Sequence, residues 1–200
     1  EITAQRVIRK EQMNFLYDDK GNKLGGFDLV ISTAPPKQTA ELFKGYLEFE
    51  LLSKIEMKAH FAVMLISSKK YDFDFTELNP QDSMLNWIGI NSAKPKRDDA
   101  LAIILHTNFK WSLKHAEMNR VEITNLALRE LEAQTGFKDD NPIYLACHRW
   151  LYGRVIEPLN RDFIFDQENM LACAGDYMLG DNIEAAFLSS TRLAEFISNR

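Results

Sequence analysis

The segment that most constrains this chain is its tail, Leu171-Ala-Cys-Ala-Gly-Asp176 followed by Tyr-Met-Leu-Gly180-Asp-Asn-Ile-Glu184 and a helix-forming run to Ile197. The pattern predicts a buried strand ending in Gly-Asp, a short Gly-containing loop and then an amphipathic helix. Ile183, Ala186, Phe187, Ser190, Ala194 and Ile197 share one face of that helix. A carboxylate at a strand end accepts hydrogen bonds from hydroxyls. A helix start beside it offers unpaired N–H groups and the positive end of the helix dipole. Together these suit a polyol joined to a ring that takes on negative charge. Asp176 has a second reading, as a simple cap for the segment that follows, because Asp is a favoured capping residue.

Near the start, Phe27-Asp-Leu-Val-Ile-Ser-Thr-Ala-Pro-Pro36 reads as a strand with a continuous apolar run at Leu29, Val30 and Ile31. Pro35 and Pro36 stop it, and Pro36 suits the first turn of a helix through Lys37–Lys44. Upstream, 5–9 and 13–17 read as two strands, and Asp18-Asp-Lys-Gly-Asn22 as a turn toward a third. A third distinctive stretch is Asn141-Pro-Ile-Tyr-Leu-Ala-Cys-His148-Arg-Trp150-Leu-Tyr-Gly153. Alternation along a strand puts His148 and Trp150 on one face and Arg149 on the other.

These three stretches, with Trp87–Pro95 and Leu105–Ser112, resemble the C-terminal part of the flavin-containing amine oxidase superfamily, and within it the renalase-like branch. The resemblance implies FAD as cofactor. It implies that Asp176 of the Gly175-Asp176 pair holds the ribityl chain. It implies that the helix starting near Asn182 and Ile183 turns its first N–H groups to the flavin pyrimidine edge. It also implies that Val7 meets the adenine through its backbone, and that the strand ending at Ala34 and Pro35 runs into the cofactor domain. Two departures stand out. Ala185 occupies a position where the family usually has Gly, and its methyl is expected to loosen a close approach to flavin. Leu151 follows His-Arg-Trp where a second Arg is common.

The resemblance further implies an α+β fold: a mixed, largely antiparallel sheet of a substrate domain with flanking helices, plus pieces of a Rossmann-like FAD-binding domain. On this reading residues 1–36 and 160–200 belong to a discontinuous FAD-binding domain, and 37–159 to the substrate domain. No Gly-x-Gly-x-x-Gly turn is present to seat a pyrophosphate. The chain therefore reads as a C-terminal fragment of a flavoprotein, expected not to hold FAD tightly alone. The reaction implied is hydride transfer to flavin from a small amine or a dihydronicotinamide-type substrate. The residues do not choose between the two. No side-chain base is evident, and His148 and Trp150 are the catalytic candidates, each equally readable as ordinary packing. A non-catalytic α+β binding or interaction domain, or an enzyme using another dinucleotide, remains the alternative.

Within the central block, 55–67, 86–91, 101–107 and 142–150 read as strands, and 119–134 as a helix with Val121, Ile123, Ala127, Leu128 and Leu131 inward and Gly136 as its stop. Ala93–Asp99 reads as a polar turn, and Tyr71–Pro80 as an acidic, aromatic loop. Lys94, Lys96 and Arg97 form a small basic cluster, either solvated or able to attract an anionic substrate. With 200 residues, 46% of them hydrophobic, the chain can bury a real core. A net charge of −5 argues against nucleic-acid or anionic-membrane partners. The longest apolar runs are too short to span a bilayer. His60, His106 and His115 lie apart from any Cys or carboxylate at metal spacing, so no metal is expected. Ser32, Ser112 and Ser189 lack a Gly-x-Ser-x-Gly setting, which leaves a hydrolase unsupported. Cys147 and Cys173 read as reduced, buried thiols of a cytoplasmic protein. The expected partner is a small-molecule substrate, and oligomeric state is left open.

Overall fold

A computed structural model describes residues 3–97 and 99–200. Glu1 and, in the polar turn, Asp98 lie outside the described residues, as does Ile2. In chain order the first strands are β1 (Ala4–Lys10), β2 (Met13–Asp18), β3 (Lys23–Phe27) and β4 (Val30–Ser32), followed by helix α1 (Pro36–Leu42) and a 3-10 helix over Leu47–Lys54. Then come β5 (Met57–Ser67), β6 (Glu77–Leu78), β7 (Leu85–Ile90), β8 (Leu101–Thr107), α2 (Phe109–Lys114), α3 (Arg120–Thr135) and β9 (Tyr144–Val155). The tail holds β10 (Ile164–Asp166), β11 (Leu171–Cys173), α4 (Asp176–Leu179) and α5 (Ile183–Ser198). The fold is α+β. β4 and β11 run parallel, whereas β1–β2, β2–β3, β10–β11, β6–β7, β7–β8 and β8–β5 run antiparallel.

The chain forms two compact units. One runs up to Met57 and resumes at Arg154–Arg200; the other is Lys58–Gly153. The sequence reading put the crossings at 36/37 and 159/160. They fall elsewhere because Phe43, Phe49 and Leu52 bury completely in the same core as Val7, Leu171, Cys173 and Tyr177. Phe43 and Phe49 meet edge to face at 4.6 Å. Burying a Phe side chain contributes about 1.5–3 kcal/mol, so residues 37–57 stay with the discontinuous unit. On the return, the Ile156 amide donates to the Glu56 carbonyl at 3.0 Å, and the Leu159 amide to the Tyr177 carbonyl at 3.0 Å.

In the discontinuous unit, β1–β2–β3 form an antiparallel meander. The Asp18 carboxylate closes the β2–β3 turn by accepting from the Lys20 and Asn22 amides at 3.0 and 2.7 Å. Gly21 takes φ +80°, which a side chain would resist. The second sheet has the order β10-β11-β4. β11 is buried throughout, but β4 is not the continuously buried run the sequence suggested. Val30 and Ser32 face the core while Ile31 is 46% exposed, because β4 is an edge strand.

The other unit is a five-stranded sheet, β6-β7-β8-β5-β9. Alternate residues Val63, Leu65, Ile88, Ile90, Ile103 and Leu105 bury against Ala127 and Leu131 of α3. Asn119 caps α3 by accepting from the Val121 amide at 2.8 Å, and Gly136 ends it at φ +73°. Val121, expected inward, is 66% exposed: it sits in the first turn, off the line of Ile123, Ala127 and Leu131. The expected 71–80 loop is interrupted by β6, which pairs Glu77 and Leu78 with β7 at the sheet edge; ahead of it, the rings of Tyr71, Phe73 and Phe75 nest with one another and with Phe137.

Candidate functional site

Parallel pairing sets Cys173 opposite Ser32, so the chain leaves β11 and β4 at the same sheet edge. Open parallel sheets bind ligands outside such carboxyl ends. The Ala174 amide donates to the Ser32 carbonyl at 3.3 Å, holding the two exits together. A small hydroxyl network fixes the turn into α1. The Ser32 and Thr39 hydroxyls lie 2.7 Å apart, and Thr39 Oγ1 donates to the Ala34 carbonyl at 3.0 Å. Pro35 takes φ −50° and ψ 151°, and Pro36 opens the helix as its missing N–H allows.

Across from it stands Gly175. Its backbone is extended, so glycine is required by space rather than by conformation. A Cβ there would lie 2.5 Å from Tyr177 Cε1. The Gly175 amide donates to Ser189 Oγ at 3.2 Å, tying the corner to α5. Asp176 is not the last residue of the strand, as the sequence suggested. It opens the four-residue helix α4, and its Oδ1 accepts from the Tyr177 amide at 2.8 Å. Among the described residues only that oxygen is hydrogen-bonded. Burial pushes the Asp176 carboxyl above the usual carboxylate range. The Tyr177 amide opposes the shift and nearby Asp181 adds to it. Beneath the corner, burial raises the Cys173 thiol to about 12. Burial, with Cys173 alongside, likewise pushes the Tyr177 hydroxyl well above the ordinary phenol range. That hydroxyl is buried without a hydrogen-bond partner among the described residues.

Asn182 caps α5, its Oδ1 accepting from the Ala185 amide at 2.9 Å. The Ile183 and Glu184 amides, earlier in the turn, have no acceptor among the described residues. The face of α5 differs from the one expected. Ala185, Ser189 and Leu193 are buried, whereas Ile183 is 89% and Phe187 62% exposed. Ile183 and Phe187 of the stripe read from the sequence therefore point outward, whereas Ile197 packs with Leu193 against Ala172 and Ala174. The Ala185 methyl, expected to crowd the helix start, instead turns inward toward Gly180, where a Cβ would meet it at 3.2 Å.

Val7 sits apart from this corner, toward the other end of α1. Its side chain is buried in the core, so only its backbone is available on β1, an edge strand. A cavity of about 520 Å³ runs beside it, lined by Arg9, Glu41, Lys44, Gly45 and Tyr46. The Arg9 amide donates to the Tyr46 hydroxyl at 3.0 Å between two of these lining residues. Thus Ala34, Pro35, Gly175 and Asp176 converge, Asn182 and Ile183 follow through α4, and Val7 borders a separate cavity of the same unit.

In the sheet unit, His148 and Trp150 lie on the edge strand β9, both exposed, with ring centroids 4.4 Å apart and edge to face. Arg149 is more buried and donates from Nη1 to the Ala116 carbonyl at 2.6 Å. Cys147 is half-buried against α3, not fully buried as expected, and burial raises its thiol. A larger open cavity, about 1090 Å³, is lined in part by residues 67–77. Arg97 lines it together with Lys69, Asp72, Asp74 and Asp99, a mixed lining rather than a basic one, while Lys94 and Lys96 are exposed. Sequence reasoning missed a run of rings, Trp87–His106–His60. Trp87 and His106 have centroids 5.0 Å apart, and His106 and His60 4.9 Å. The signal lay in strand register, which the separate positions do not reveal.

No protein-family model matches the chain. Its fold does match solved structures. A protoporphyrinogen oxidase-like protein from Exiguobacterium sp. 255-15 aligns over 100% of this chain and 47% of its own, with TM-score 0.76 and 14% identity. Cyclohexylamine oxidase from Brevibacterium oxydans aligns over 100% and 48%, with TM-score 0.76 and 14% identity. A putrescine oxidase variant aligns over 98% and 48%, with TM-score 0.70 and 11% identity. The chain spans about half the length of these oxidases. It has the fold of that part of them, and the expected likeness to flavin-containing amine oxidases is met at the level of fold. No helix among the described residues is long and apolar enough to cross a membrane.

Proposed function

We propose that this chain is the C-terminal part of a renalase-like FAD-dependent oxidoreductase that takes hydride from a small amine or a dihydronicotinamide-type substrate. The observation that carries the reading is the shared carboxyl edge of β4 and β11. There a half-buried carboxylate keeps one oxygen open beside the two free amides of the α5 start. FAD, when bound, supplies the ring that accepts the hydride. The residues present fit such a group. Asp176 accepts from ribityl hydroxyls. The Ile183 and Glu184 amides donate to the pyrimidine edge and favour negative charge there, typically by about 0.3–1 kcal/mol per helix terminus. The Val7 backbone, beside its cavity, suits an adenine, while Ala34, Pro35 and Gly175 form the small-residue turns that leave room at the edge. His148 and Trp150 are the substrate-side candidates. The inward turn of the Ala185 methyl supports an open helix start.

A longer protein is part of the proposal. The three-residue edge strand β4, with Ile31 exposed, and the exposed Ile183 and Phe187 of α5 are surfaces that a further strand and helix would cover. The test is to express the longer open reading frame containing these residues and record its visible spectrum, with and without Asp176→Ala. Bound flavin that is lost or weakened in the variant supports the reading. A colourless longer protein rejects it in favour of a non-catalytic domain.

A further inference from the structure

The hairpin at the start of the chain fixes what the free edge of β1 offers. Two residues, Glu11 and Gln12, join β1 to β2, so Lys10 and Met13 flank the turn as a hydrogen-bonded pair. Antiparallel pairs alternate. Arg9–Asn14 and Val7–Leu16 are therefore non-hydrogen-bonded pairs, whose β1 amides and carbonyls point away from β2. The Arg9 amide agrees, donating outward to the Tyr46 hydroxyl at 3.0 Å. Among the described residues no strand lies on that side of β1. Val7, with its side chain in the core, thus turns its N–H and C=O toward the cavity of about 520 Å³ that it lines. Strand addition does not suit this edge, because Tyr46 blocks the rung at Arg9 and the register breaks between Ala4 and Arg6. A single open rung suits a small planar heterocycle instead.

Tyr46 adds a third group in line with that rung. Its hydroxyl accepts from the Arg9 amide, and among the described residues that is its one hydrogen bond. A phenol both accepts and donates, so its proton is left for the cavity that Tyr46 lines. Along the strand the edge then offers the Val7 N–H, the Val7 C=O and the Tyr46 O–H: donor, acceptor, donor. A 6-aminopurine presents the complement in the same order, with ring N1 as acceptor, the amino group as donor and ring N7 as acceptor. A 6-oxopurine reverses the first two. The surrounding charge favours an anionic nucleotide. Among the described residues Arg6 and Arg9 line the cavity with no carboxylate partner, and Glu41 is held by Lys44 at 3.2 Å. We propose that Tyr46 is a specificity-determining residue of this cavity, its hydroxyl donating to ring N7 of a 6-aminopurine nucleotide seated on the Val7 rung. This rests on the reading that Val7 meets an adenine, and adds the side chain that selects the ring.

The experiment uses the chain as it is, without flavin. AMP, IMP and 7-deaza-AMP carry the same phosphate, so differences among them report the ring. Each is titrated and followed by calorimetry and by the NMR shift of the Val7 amide. AMP should bind about fivefold more tightly than 7-deaza-AMP, which lacks the ring N7 acceptor, and about tenfold more tightly than IMP. Tyr46→Phe should weaken AMP about fivefold and leave 7-deaza-AMP unchanged, so that the preference between the two disappears. Circular dichroism checks that the variant is folded. Should it not be, the wild-type comparison of AMP with 7-deaza-AMP decides alone. Equal binding of those two by the wild type overturns the proposal, as does a preference that survives in folded Tyr46→Phe. IMP binding as tightly as AMP, or no AMP binding at about 10 mM, overturns it too. Because the readout needs no flavin, ring selectivity in a chain whose longer form proves colourless keeps this site and rejects the oxidoreductase reading. A flavinated longer protein whose chain does not distinguish AMP from 7-deaza-AMP does the reverse.

Discussion

Replacing Gly175 by Ala probes the corner that aims Asp176. The Gly175 backbone is extended (φ 167°), a conformation any residue adopts, so the substitution brings no backbone strain. Removing glycine restricts the unfolded chain and alone would stabilise by about 0.4–1 kcal/mol. Against this, the new methyl would stand 2.5 Å from Tyr177 Cε1 and 3.0 Å from Cδ1. That ring is only 2% exposed, so it has nowhere to swing. Overpacking of this kind costs about 1–3 kcal/mol, so the net effect is a loss of roughly 1–2 kcal/mol. For a chain of this size that lowers Tm by about 2–8 °C. Scanning calorimetry, following the transition of the discontinuous unit, measures it. The decisive comparison is the same change in a Tyr177→Leu background, where the ring is gone and Gly175→Ala should become neutral or stabilising. If the Tm loss is equal in both backgrounds, so that the two substitutions add within about 0.5 kcal/mol, the close approach of ring and glycine is not what holds the corner.

Other expectations follow from the same geometry. Burial raises the folded Asp176 carboxyl above its ordinary 3.8, so between those two values the folded chain binds more protons than the unfolded one. Its contribution to stability therefore falls as pH rises through that window and stays lower above it. Asp176→Asn should remove this fall, gaining on the wild type from pH 3 to pH 7 in urea melts; a variant that instead loses ground refutes the assignment. Asn182→Ala removes the cap on the Ala185 amide and should cost about 1 kcal/mol, read as a lower melting midpoint, with Asn182→Asp close to wild type. Iodoacetamide under native conditions should label half-buried Cys147 well before Cys173, whose thiol is buried and raised to about 12; peptide mapping showing the opposite order contradicts this.

Much of the architecture was legible because local signals and tertiary packing agree. Asn119 and Gly136 bracket α3 as cap and stop, and the Asp18–Asn22 turn closes where its residue types require. The errors fall where packing decides. Ile31 and Val121 are apolar residues at an edge strand and a first helical turn, so their hydrophobicity did not predict burial. The α5 stripe was assigned inward because its larger side chains line up there. The helix instead buries Ala185, Ser189 and Leu193, with Ala185 close to Gly180 and Ser189 accepting from the Gly175 amide. Domain crossings were misplaced because Phe43 and Phe49 do not announce which core they join. At the site, the Gly-Asp pair was readable, but the role of its glycine was not, since that depends on the ring two residues along.

The central claim is that the Gly175–Asp176 corner and the start of α5 hold a flavin. Its most direct test is a single flavin-to-protein ratio, taken from the visible absorbance of the purified longer protein that contains this chain. The account predicts near-equal flavin and protein for the wild type and a marked loss for Asp176→Ala with folding intact. Full flavin occupancy in a folded Asp176→Ala protein would contradict it.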